Sequence, residues 1–153
     1  ALGQGTGTEL QNVAAPREPL HLVIVAAQFG LSTPSVFKQL DAGRAAGEYP
    51  ASGELVEPAE LLSALSSYDG SEAALDSLAP LLRNDLQAPA LSCAPQLEQT
   101  LNLRDSESVY ASLVSGSGPT VLLLTSSQNR AEALASALRD TGNHAVSAVL
   151  NHP

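Results

Sequence analysis

The stretch that most constrains this chain is a glycine-rich turn held between two short apolar runs. Tyr110-Ala111-Ser112-Leu113-Val114 precedes it and Val121-Leu122-Leu123-Leu124 follows, with Ser115-Gly116-Ser117-Gly118-Pro119-Thr120 between them. Runs of this length, rich in β-formers and joined by small residues, read as strand, tight turn, strand. Two glycines and two serines in four positions let the backbone pass close to a ligand with its N–H groups turned outward, a concavity suited to anions. An ordinary hairpin, in which glycine merely supplies positive φ, explains the same residues and on spacing alone is the better reading. No Gly-Lys-Ser/Thr follows, so the turn is not a Walker loop.

Composition narrows the partners. At 153 residues with 44% hydrophobic and 15% charged residues, the chain is expected to form one globular domain with a real core. Aromatics are 3%, so Leu, Val and Ala must build that core. The net charge is −9, and the seven Lys and Arg residues are scattered. Without a basic face, nucleic acid and an anionic membrane surface are poor partners. A bound anion would depend on backbone N–H groups or a metal. Cys93 stands alone, which rules out a disulfide framework and fits a reducing, cytoplasmic setting. No apolar run is long enough to span a bilayer, and the opening residues do not read as a signal peptide. With no Met, and with Ala1-Leu2-Gly3-Gln4-Gly5-Thr6-Gly7-Thr8 reading like the middle of a β-structure, the chain is expected to begin inside a longer polypeptide.

In order along the chain, Gly3, Gly5 and Gly7 alternate without a strand before them, which favours a β-hairpin or strand edge over a dinucleotide fingerprint. Ala15 to Pro19 is a turn, and His21 to Ala27 is a near-continuous apolar run suited to a central, covered strand. Thr33 as N-cap and Pro34 as first helical residue start a helix that carries Val36, Phe37 and Leu40 inward or towards a cleft and ends near Arg44. Lys38 and Arg44 read as its solvated face. Ala45 to Pro58 reads as an exposed loop. Pro58 to Tyr68 places Leu61, Leu62, Leu65 and Tyr68 on one helical face. Ser71 caps the next helix, which Pro80 shortens or kinks, and Asn84 reads as the N-cap of a segment to about Ser92. Pro95 begins another helix. Ser127 caps an amphipathic helix, Gly142 stands at its left-handed end, and His144 to Leu150 is the last strand.

Strand, helices, strand, glycine turn, strand, helix, strand describes an α+β, ferredoxin-like sandwich: a small, mainly antiparallel sheet with helices on one face. Other chemistry finds little footing. His21, His144 and His152 are far apart and lack carboxylates at ligand spacing, so no metal site is expected. There is no Gly-x-Ser-x-Gly elbow, and Cys93 reads as a small buried hydrophobe.

Four blocks in order carry a resemblance that covers essentially the whole chain. Leu2 to Leu10, Leu31-Ser32-Thr33-Pro34-Ser35-Val36-Phe37, Arg83-Asn84-Asp85-Leu86-Gln87 and Val114 to Val121 resemble the GHMP kinase superfamily. Within it they are similar to the kinases acting on a cytidylyl diphosphate of methylerythritol. The resemblance implies a C-terminal, substrate-side domain over residues 1–153, paired with an N-terminal ATP-binding domain of the same polypeptide. That other domain would hold the phosphate loop, lysine and aspartate, with ATP and Mg2+ as cofactors, leaving this domain no catalytic residue, no cofactor and no activity alone. By resemblance Thr33, with Pro34 beside it, lines the methylerythritol phosphate end, and Phe37 stacks on the cytosine. Gly116, Ser117 and Gly118 approach the substrate's phosphates through their backbone. Without the resemblance, Thr33 is a plain helix cap, Phe37 is plain core, and capping suffices for Asn84. The alternatives are a stand-alone ferredoxin-like binding or regulatory module, or the equivalent domain of a homoserine- or mevalonate-type kinase.

Overall fold

The strand Leu20–Ala26 is apolar on both of its faces, and that fact organises the molecule. The computed structural model describes residues 2–4, 8–50, 58–105 and 109–151. The readings placed on Ala1, Gly5, Gly7, residues 51–57 and His152 lie outside the described residues.

Strands β1 (Leu2–Gln4) and β2 (Glu9–Gln11) pair antiparallel as a small separate hairpin, as the spacing of the opening residues implied. The main sheet contains β3 (Leu20–Ala26), β4 (Ala111–Val114), β5 (Val121–Thr125) and β6 (His144–Leu150). Its order is β4-β5-β3-β6, and every pairing is antiparallel. With helices between β3 and β4 and one helix between β5 and β6, this is the ferredoxin-like arrangement. The long apolar run is central, as expected, with β5 on one side and β6 on the other.

Side chains alternate across a strand, so the register separates two cores. Val23 lies opposite Leu123, and Leu22 lies opposite Leu124. Val23, Val25, Val114, Val121 and Leu123 face one way. They are covered by α1 (Thr33–Ala46), α4 (Gln87–Cys93), α5 (Leu97–Leu101) and α6 (Gln128–Asp140), through residues such as Val36, Ala90, Leu97 and Ala131. Leu20, Ala111 and Leu124 face the other way and join Tyr68, Leu75 and Leu78 from the segment α2 (Ala59–Ser67) and α3 (Glu72–Leu78). Helices therefore cover one face, and α2–α3 adds partial cover on the other because β3 and β5 are apolar there too.

Local signals set most boundaries. Ser71 accepts the Ala74 N–H at the start of α3, and Ser127 accepts the Arg130 N–H at the start of α6. Pro80 falls in a 3-10 turn, Ala79–Leu81, that ends α3, and Gly142 has φ 88° just beyond α6. Four expectations are corrected. Ser32, not Thr33, caps α1, its Oγ 3.4 Å from the Ser35 nitrogen, and the helix runs on to Ala46 before Gly47 closes it at φ 74°. Asn84 is not the N-cap of α4, which starts at Gln87 after Leu86, although its Oδ1 accepts the Leu86 N–H at 3.0 Å. Cys93, the last residue of α4, is exposed rather than buried, its thiol 3.9 Å from the Ser35 carbonyl of α1. Arg44 is also less solvated than its helix position implied: its Nη2 lies 3.9 Å from Asp85, and its Nε donates to the Pro50 carbonyl at 2.9 Å.

Candidate functional site at the glycine hairpin

The turn between β4 and β5 is built as the sequence implied and then tied down from two sides. The Ser115 N–H donates to the Thr120 carbonyl at 2.8 Å, and the Gly118 N–H donates to the Ser115 carbonyl at 2.9 Å. Gly116 and Gly118 sit at φ 56° and 81°, left-handed conformations that glycine adopts at no steric cost. At Gly118 there is also no room, since an added β-carbon would lie 3.1 Å from Val114 and 3.3 Å from Leu31.

One tie comes from α1. The Thr33 and Ser117 hydroxyls are hydrogen-bonded at 2.7 Å across 84 positions of sequence. The first helical residue of α1 thus meets the middle of the glycine turn, so Thr33, Pro34, Gly116, Ser117 and Gly118 share one neighbourhood. Phe37 stands one helical turn further on, on the same face as Thr33. It is 47% exposed, whereas its neighbours Val36 and Leu40 are buried. Phe37 is therefore not core. Its ring is open on the helix face that also carries Thr33.

The other tie was not read from the sequence. Asn84 Nδ2 donates to the carbonyls of both Val114 and Gly116 at 2.7 Å. Gln87 Oε1 accepts the Val114 N–H at 3.1 Å. Strand β4 is the sheet's edge, so its outward backbone groups need partners, and two carboxamides three positions apart supply them. That pairing of Asn84 with Gln87 was the available signal, and the capping explanation of Asn84 hid it.

Among the described residues no group of three or more His, Cys, Asp or Glu side chains comes together to hold a metal ion. What the arrangement offers is backbone N–H groups, two hydroxyls and one exposed aromatic face.

The family model described as GHMP kinases C terminal matches residues 58–144. The chain belongs to the GHMP kinase C-terminal family. This GHMP kinase C-terminal domain is 44% identical over 142 residues to the 4-diphosphocytidyl-2-C-methyl-D-erythritol kinase of Nocardia farcinica (strain IFM 10152), a match covering 93% of this chain and 43% of that protein. It is 41% identical over 152 residues to the protein of the same name from Arthrobacter sp. (strain FB24), covering 99% of this chain and 45% of that one. It therefore spans less than half the length of these curated relatives. Among solved structures, a 4-(cytidine 5'-diphospho)-2C-methyl-D-erythritol kinase superposes with a TM-score of 0.72 at 23% identity, covering 97% of this chain and 48% of that one. Homoserine kinase from Cytophaga hutchinsonii superposes at 0.60 with 11% identity, covering 94% and 44%. Both structures share the GHMP domain's fold. No helix among the described residues is long and apolar enough to cross a membrane.

Proposed function

We propose that this domain forms the substrate-side wall of an ATP-dependent kinase that phosphorylates 4-diphosphocytidyl-2-C-methyl-D-erythritol in isoprenoid precursor synthesis. The observation that carries the reading is the Thr33–Ser117 contact, which brings the helix start and the glycine turn together with Phe37 exposed one turn away. The names of relatives at 41–44% identity supply the substrate class. Phe37 would stack on the cytosine, Thr33 and Pro34 would line the methylerythritol end, and Gly116, Ser117 and Gly118 would face the diphosphate.

Catalysis of phosphoryl transfer is mostly positioning and charge stabilisation. ATP with Mg2+ would supply the phosphoryl group, bound by the part of the polypeptide that lies outside this match in relatives of twice the length. This domain's share is positioning. Alone it would bind substrate weakly and transfer nothing.

The test is kinetic, in the full-length protein that carries these residues. Phe37→Ala should raise KM for the cytidylyl substrate at least tenfold and leave KM for ATP within twofold. The fold should survive, because the ring is already half exposed. An unchanged substrate KM overturns the stacking assignment. Faster turnover of homoserine or mevalonate than of the cytidylyl diphosphate overturns the substrate class.

A further inference from the structure

The glycine turn has a back as well as a front, and the back is where Asn84 grips it. In a trans peptide unit the C=O and the following N–H point in opposite directions. Fixing a carbonyl therefore aims an N–H. Asn84 Nδ2 holds the carbonyls of Val114 and Gly116 at 2.7 Å each, which turns the N–H groups of Ser115 and Ser117 away from it. The Ser115 N–H is used inside the hairpin, on the Thr120 carbonyl. The Ser117 N–H has no acceptor among the described residues. It belongs to the residue whose hydroxyl meets Thr33.

We propose that Asn84 is a positioning residue for this site: by clasping the Gly116 carbonyl it aims the Ser117 N–H at an oxygen of an incoming diphosphate. This rests on reading the front of the turn as the side that meets phosphate. Left-handed glycine backbone rotates readily, so Gly116 gives no preference of its own for which way its peptide unit faces. The preference comes from outside the turn. The Asn84 carboxamide is fully engaged in supplying it, since Oδ1 takes the Leu86 N–H while Nδ2 spends its two hydrogens on the two carbonyls. Gln87 steadies the same edge through the Val114 N–H, whereas the Gly116 carbonyl is held by Asn84.

This division of labour makes Asn84→Asp a selective probe. The carboxylate keeps an acceptor for the Leu86 N–H and so keeps the turn before α4. It loses both donations and sets a negative charge against two carbonyl oxygens. Asn84→Ser, neutral and short, also loses the clasp and carries the test should the charged variant fail to fold. The measurement is a titration of the 15N-labelled full-length protein with inorganic pyrophosphate, following the Ser117 amide resonance, assigned by its absence in Ser117→Ala. In the unaltered protein the Ser117 amide should shift and saturate. In Asn84→Asp and Asn84→Ser half-saturation should require at least tenfold more pyrophosphate, with the Leu86 amide still protected from hydrogen exchange in Asn84→Asp. If the unaltered protein's Ser117 amide does not respond, the phosphate-facing reading of the turn falls and the proposal falls with it. If the unaltered protein responds and both variants respond at the same concentration, the turn faces phosphate but Asn84 does not aim it, and only the present proposal is overturned.

Discussion

Gly116 and Gly118 are the same residue type, two positions apart in one turn, and both have positive φ. The structure nonetheless assigns them different costs on substitution. Alanine at either position must adopt left-handed backbone, at about 1–2 kcal/mol. It also restricts the unfolded chain, which returns about 0.4–1 kcal/mol to the folded state. At Gly116 nothing lies within 4 Å of the new β-carbon, so the account stops there and Gly116→Ala should cost about 1 kcal/mol or less. At Gly118 the β-carbon would sit 3.1 Å from Val114 and 3.3 Å from Leu31, both packed on the principal core. Forcing extra volume against packed side chains adds about 1–3 kcal/mol. The total for Gly118→Ala is then about 2–4 kcal/mol. For a chain of this size each kcal/mol lowers Tm by about 2–4 °C. Thermal unfolding followed by circular dichroism should therefore place Gly118→Ala about 4–10 °C below Gly116→Ala. Trimming Val114 to alanine should relieve part of the penalty, so the double variant should be more stable than the two single losses summed. Equal Tm values for the two glycine variants would refute the assignment of the difference to Val114 and Leu31, and so would strict additivity with Val114→Ala.

Two further expectations concern the smaller core. Leu75 is fully buried against Tyr68 and Leu78, so Leu75→Ala should lose about 2–5 kcal/mol in urea unfolding, and a loss below 1 kcal/mol would mean that α3 does not anchor this face. Burial pushes the Tyr68 hydroxyl above its ordinary pKa of 10.0, and the nearby Asp69, Glu18 and Tyr110 push the same way. The folded chain then holds this proton more tightly than the unfolded chain, so the contribution is intact below pH 10 and is lost as the pH rises beyond it. Tyr68→Phe should flatten the alkaline limb of a stability-against-pH curve and cost little at pH 7, because the Tyr68 Oη is buried without a partner among the described residues.

The sequence made the fold legible because periodicity and punctuation agreed. The apolar run at β3, the serines at 71 and 127, Pro80 and Gly142 each signal through their own chemistry, and each marks what it signals. Its limits were local competition and long-range pairing. Ser32 and Thr33 are both capping residues, and composition alone does not say which one takes the cap. The hydroxyl not needed there, that of Thr33, is the one that reaches Ser117. For Asn84 the short-range role was visible, whereas the two bonds to the end of β4 and to the glycine turn join positions 30 and 32 residues away and leave no periodic trace. Phe37 showed the opposite weakness, since a phenylalanine on an amphipathic helix reads as core until its exposure is seen.

The Thr33–Ser117 bond carries a consequence of its own. Each hydroxyl has one proton and two lone pairs, and in this pair either atom can be the donor. Whichever donates leaves the other with its proton unspent and able to swing outward. Reversing the bond rotates both hydroxyls and leaves the spare O–H on the opposite residue without moving a heavy atom. The outward-facing O–H can thus stand on the α1 side or on the glycine side of the turn, with the same two side chains in the same places.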